Sequence, residues 1–142
     1  MPTELSYFIL LIAQEKLDVY GYVEESVMKF KKIYLVHSWN KASEILHKEL
    51  IDVLITDLDL PDATEDEIIK QLKEIDIIKI AILTNNKQHS EKLKDVVDDF
   101  IYYGDCNEIT IRKSILNVNK IRRAKTLKNR IKRNLAMVPD KI

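Results

Sequence analysis

VLITDLDLPD, residues 53–62, runs three apolar residues into Thr56 and Asp57, and then, after Leu58, into Asp59, Leu60, Pro61 and Asp62. Apolar side chains on consecutive residues suit a strand covered on both faces, because neighbouring side chains point to opposite sides of a sheet. A strand of that kind ending in carboxylates carries charge from a dry interior to the rim of the sheet. Asp57 is therefore the first candidate for chemistry.

Working outward, four more runs repeat the pattern: FILLI (8–12), IYLV (33–36), IAIL (80–83) and FIYY (100–103). Between them apolar residues recur at helical spacing: Val19, Tyr20, Val23, Val27 and Phe30; then Ala42, Ile45, Leu46 and Leu50; then Ile68, Ile69 and Leu72. Strands alternating with helices predict a parallel sheet with helices on both faces, since each right-handed crossover must pack back onto the sheet. The expected architecture is α/β, a flavodoxin-like doubly wound (βα)5 with a five-stranded parallel sheet in the order 2-1-3-4-5 and an extended C-terminal helix. That topology places ligand chemistry at the carboxyl ends of the strands. The residues there are Ala13, Gln14 and Glu15 after the first run, Asp57 in the third, Thr84 after the fourth, and Tyr103 and Gly104 at the end of the fifth.

Composition narrows the function classes. A chain of 142 residues, 46% apolar and 32% charged, suits one soluble globular domain plus a tail. Only two glycines occur, so neither a glycine-rich dinucleotide loop nor a phosphate-cradling P-loop is present, and nucleotide binding is disfavoured. No apolar run is long enough to span a membrane, and the opening MPTELSYFILLIAQEK lacks the pattern of a signal peptide, which predicts a cytoplasmic location. The lone Cys106 fits a reducing compartment, and His37, His47 and His89 have no metal-ligand spacing.

The zero net charge conceals a division. Residues 1–111 hold 22 acids and 12 bases, a charge of −10, whereas residues 112–142 hold 1 acid and 11 bases, a charge of +10. Such a split gives the tail a task or partner of its own.

TDLDLPD resembles the phosphoacceptor loop of response regulator receiver domains, which carry an aspartate at the end of the third strand, then two residues, an aliphatic residue and a proline. Asp57, Leu60 and Pro61 occupy those places. Thr84, closing IAILT, matches the family's hydroxyl residue after the fourth strand, and in DDFIYYGD (98–105) Phe100 fills the place of the aromatic switch residue. The resemblance implies a receiver-like domain over residues 1–118, a basic helical extension or linker over 119–142, and a two-component signalling role. It also implies Mg²⁺ as cofactor, held by Asp57, the backbone carbonyl of Asp59 and an acidic pair after the first strand, so that an in-line attack by Asp57 gives an acyl phosphate.

The sequence departs from the family at two charges. Ala13 and Gln14 stand where the acidic pair belongs, with Glu15 the first carboxylate after them, and Tyr103 stands at the lysine position. Mg²⁺ asks for several oxygen ligands in octahedral order. These departures predict a degenerate receiver, not an enzyme, that signals by protein contact to a sensor kinase or other signalling protein, or to an attached output domain. Two alternatives remain open: a conventional phosphoacceptor with Glu15 standing in for the pair, and a D-x-D phosphatase in which Asp57 attacks and Asp59 is the acid/base.

The last helix is expected to start near Glu108. Ile121, Ala124, Ile131, Leu135 and Val138 fall on a and d heptad positions, with Lys128 interrupting the seam and Pro139 as a stop. The expectation is a homodimer through the fourth and fifth helices or the C-terminal helix. RRAKTLKNRIKRN is basic enough for nucleic acid but has no aromatic residue to stack on bases, so that partner ranks behind protein.

Overall fold

The computed structural model describes residues 8–13, 19–25, 30–83 and 93–137. The chain alternates β1 (Phe8–Ile12), α1 (Val19–Glu25), β2 (Lys32–Val36), α2 (Trp39–Lys48), β3 (Val53–Asp57), α3 (Glu65–Leu72), β4 (Ile78–Leu83) and β5 (Asp99–Tyr102). A 3-10 turn at Tyr103–Asp105 then leads into α4 (Glu108–Met137), the fifth helix of the expected order. All strand pairings are parallel, in the order β2-β1-β3-β4-β5, as the sequence predicts.

The consecutive apolar runs divide between two cores. Ile9, Leu11, Val53, Ile55, Ile80 and Ile82 face one side, where Val23 of α1 and Ile111, Ile115 and Val118 of α4 cover them. Leu10, Ile12, Leu54, Ala81 and Leu83 face the other, beneath Trp39 and Ala42 of α2 and Ile68, Ile69 and Leu72 of α3. Every residue of β3 and β4 is buried, so these central strands are the rigid platform on which Asp57 stands.

Helix ends are set by side chains. Ser38 caps α2 by accepting from the Lys41 N–H at 3.3 Å, and Thr64 caps α3 by accepting from the Glu67 N–H at 3.2 Å. Glu65, Asp66 and Glu67 then lie in the first turn of α3, where carboxylates complement the helix dipole. At the other end of α3, Lys79 of β4 donates its Nζ to the carbonyls of Leu72 (2.8 Å) and Ile75 (2.6 Å). Burial lowers the Lys79 pKa, and the Asp98 charge opposes part of that shift. Arg122 fastens α4 to the sheet, donating to the Ile77 carbonyl at 2.8 Å and to both Asp98 carboxylate oxygens at 3.1 Å.

Some expected boundaries shift. Phe30 and Leu50 continue a helical spacing in the sequence, yet Phe30 precedes β2 outside any helix, and α2 ends at Lys48. Leu50 instead sits in the turn into β3, 74% exposed. Tyr103, expected at the end of the fifth strand, lies in the 3-10 turn after it. Helix α4 continues through residues 118 and 119 without a break.

Candidate functional site

Asp57 closes β3 beside the switch point, where β1 and β3 are neighbours whose helical connections leave on opposite faces. Its side chain is almost fully buried, at 1% exposure. One carboxylate oxygen, Oδ1, accepts the Asp59 N–H at 2.9 Å. The other, Oδ2, accepts a hydrogen bond from the hydroxyl of Tyr103. The phenol thus engages the Asp57 carboxylate from the 3-10 turn that follows β5.

The same arrangement holds the Tyr103 proton in place. Burial first, then the hydrogen bond to Asp57 and the Asp57 charge, push the phenol well above its ordinary pKa of 10.0, with smaller contributions from Asp59 and Cys106. Cys106, also buried, has its thiol raised to about 11 by desolvation. It is therefore a thiol with little thiolate at neutral pH.

The loop after Asp57 is fixed from outside. Leu60 and Ala63 form an isolated antiparallel bridge around Pro61 and Asp62, a turn suited to the fixed φ of proline. Asp62 then accepts the N–H groups of Trp39 and Asn40, each at 2.8 Å, at the start of α2. These two bonds lower the Asp62 pKa, Asn40 contributing most and Trp39 next. Trp39 in turn donates Nε1 to Gln71 Oε1 at 2.6 Å, tying α2 to α3.

Beside Asp57 opens a cavity of about 280 Å³ lined by Asp57, Asp59, Thr64 and Glu65 together with apolar residues. Among the described residues its lining supplies three carboxyl side chains and no cation. On the β1 side, Ala13 is buried at 2% exposure, and its carbonyl accepts from His37 Nδ1 at 2.8 Å. Phe100 lies half-buried on β5, its ring edge-on to Tyr102 with centroids 5.7 Å apart. Gln14, Glu15 and Thr84 lie outside the described residues.

The structure thus brings Asp57, Asp59 and Tyr103 together and places Ala13 at the end of the neighbouring strand. Sequence reading missed Asp62 as the anchor of the loop and the Trp39–Gln71 bond behind it. An aspartate that closes the turn after a proline was the available signal, but the helix it caps lies 23 positions away.

The Mg²⁺ implied by the resemblance does not fit the described donors. Both oxygens of Asp57 already accept hydrogen bonds, and no group of three or more His, Cys, Asp or Glu side chains able to hold a metal occurs among the described residues. An octahedral ion would have to draw on Asp57, the Asp59 carbonyl and little else from this set.

No protein-family model matches the sequence, and no curated protein matches it. Solved structures do match. The signal receiver domain of a putative Luxo repressor protein from Vibrio parahaemolyticus superposes with a TM-score of 0.69 at 17% identity, over 87% of this chain and 97% of that one. The chain has the receiver fold. The REC domain of AraT, a response regulator from Geobacillus stearothermophilus, gives a TM-score of 0.67 at 17% identity over 86% of this chain and 99% of that one. A response regulator receiver domain protein from Clostridium thermocellum gives 0.66 at 19% identity over 85% and 98%. Within the receiver fold Asp57 closes the third strand, as the resemblance implied, and Tyr103 stands just past the fifth. Among the described residues no helix is long and apolar enough to cross a membrane.

Proposed function

We propose that this chain is a signalling module on the receiver fold that works through protein contacts, with Asp57 engaged by Tyr103 and not serving as an efficient phosphoacceptor. The observation that carries this reading is the Tyr103 hydroxyl donating to Asp57 Oδ2 while the Asp59 N–H donates to Oδ1. An incoming phosphoryl group brings negative charge to a carboxylate already bonded on both oxygens, beside a cavity with no cation among its described lining residues. Losing one preorganised donor of the right charge costs about 3 kcal/mol of barrier, so a site without both lysine and metal is slow.

In this reading the partners are a sensor kinase, another signalling protein or an attached output domain, and the chain is not an enzyme. Phosphatase chemistry through Asp57 and Asp59 requires a free nucleophilic oxygen, and the bond from Tyr103 stands in its way. The conventional alternative rests on Glu15 completing a metal site.

Beryllofluoride with millimolar MgCl2, followed by Trp39 fluorescence, tests the reading, because Trp39 is bonded to Asp62 in the acceptor loop. The expected result is no saturable change in the wild type. A saturable wild-type response supports the conventional phosphoacceptor instead. Turnover of an aryl phosphate that is lost in Asp59→Asn supports the phosphatase.

A further inference from the structure

Two surfaces stand uncovered among the described residues, and their chemistry matches. The first is the distal part of α4. Its body-facing residues Ile111, Ile115 and Val118 are buried, and Arg122 bonds the Ile77 carbonyl just before β4. Beyond that clamp Ile131 is 52% exposed, as is Ile121 at 51% just before it, and Ala124 and Lys128 are exposed too. Residues 119–137 hold eight bases and no acid.

Pairing two copies of this helix along the heptad seam sets like charges together. With Ile121 and Leu135 at a, Lys128 also falls at a and faces its own copy, while Lys120 at g meets Lys125 at e in a parallel pair. No acid in the segment relieves these contacts. The stripe of Ile121, Ala124 and Ile131 therefore suits an apolar surface with an acidic rim.

Such a surface is the second feature. A groove of about 770 Å³ between the ends of α2 and α3 is lined by Leu46, Leu50, Ile51, Ile75 and Ile77, with Glu49 and Glu74 at its edge. Leu50 is the most exposed large apolar residue described. The groove residues Leu46, Ile51, Ile75 and Ile77 belong to the core on the α2/α3 face, whereas α4 packs on the opposite face. An unbroken helix cannot turn from one face to the other, so α4 cannot fill the groove of its own chain. The two features do lie at the same end of the sheet, since Arg122 bonds the carbonyl of Ile77.

We infer that a second copy of this chain fills the groove: the basic distal half of α4 from one copy seats its apolar stripe on Leu46, Leu50 and Ile75 of the other, with its lysines and arginines facing Glu49 and Glu74. Done reciprocally, this gives a closed two-fold dimer in which each acidic body receives a helical segment, residues 119–137, carrying eight bases and no acid. The proposal is independent of the state of Asp57.

Sedimentation equilibrium of the full chain tests it, with far-UV circular dichroism confirming that each variant is folded. The wild type should dimerise with an affinity that weakens as salt screens the opposite charges. Leu50→Glu and Ile131→Glu should each raise the dimer dissociation constant by about tenfold or more. Mixing the two variants should recover association, because the intact tail of one fits the intact groove of the other. A monomeric wild type at high micromolar concentration overturns the proposal, as does a dimer that Leu50→Glu leaves unchanged, which would mean tail-to-tail pairing. Binding of that monomer to vesicles rich in phosphatidylserine would assign the helix to a membrane surface instead.

Discussion

At the scale of single residues, Tyr103 puts a phenol at the position where receiver domains carry an ammonium. A lysine neutralises the phosphoryl oxygens that an acceptor aspartate takes on, whereas the Tyr103 hydroxyl donates to Asp57 Oδ2 itself. Tyr103→Phe should leave a buried carboxylate oxygen without that donor and lower stability in urea by about 1–3 kcal/mol. The alkaline titration gives a second check. A phenol whose folded pKa is raised above 10.0 binds its proton more tightly in the folded state than in the unfolded one. Its contribution to stability is therefore complete below pH 10 and is lost as pH rises through the folded pKa. Ultraviolet titration should show a late phenol ionisation above pH 10, and Tyr103→Phe should remove that step.

Sequence and structure part company at this scale for a physical reason. The alignment of motifs placed Tyr103 at the lysine position, and nothing in a linear pattern records that a hydroxyl 46 positions from Asp57 reaches its carboxylate. Asp62 shows the same limit. Its bonds to Trp39 and Asn40 depress its carboxyl below the ordinary 3.8, so its capping contribution is present above that value and fades as pH falls through the folded pKa. Asp62→Ala should speed hydrogen exchange at the Trp39 and Asn40 amides while leaving amides of β4 protected.

At the scale of elements, the periodicities were largely sufficient. FILLI became β1 with the predicted bounds, and the order of strands followed from the alternation with helices. The exceptions are ends. Leu50 lies four residues after Leu46 and so extends the apparent stripe of α2, but the chain must leave the helix at Lys48 to enter β3 from the correct side. Spacing records which residues are apolar, not where the next strand requires the chain to turn. Helix α4 shows two regimes on one continuous element. Ile115→Ala should cost about 2–5 kcal/mol, because it empties a fully buried site under the sheet. Ile131→Ala, measured at low protein concentration, should stay within about 0.5 kcal/mol of the wild type. Thermal or urea unfolding of the two variants checks the contrast.

At the scale of the whole molecule, neutrality is the sum of two opposed parts. The −10 body and the +10 tail were legible in the sequence, yet the groove that gives the tail a place to go was not. It is assembled from Leu46 and Leu50 after one crossover and Ile75 and Ile77 after the next, residues that only the sheet order brings together. The Asp57 pocket and this groove lie at opposite ends of the parallel strands, one past their carboxyl ends and one before their amino ends.

The measurement that bears most directly on Asp57 is intact mass of the full chain after incubation with acetyl phosphate and MgCl2. The bond from Tyr103 predicts a wild type that keeps its unmodified mass. Stoichiometric gain of one phosphoryl group, abolished by Asp57→Asn, would contradict it.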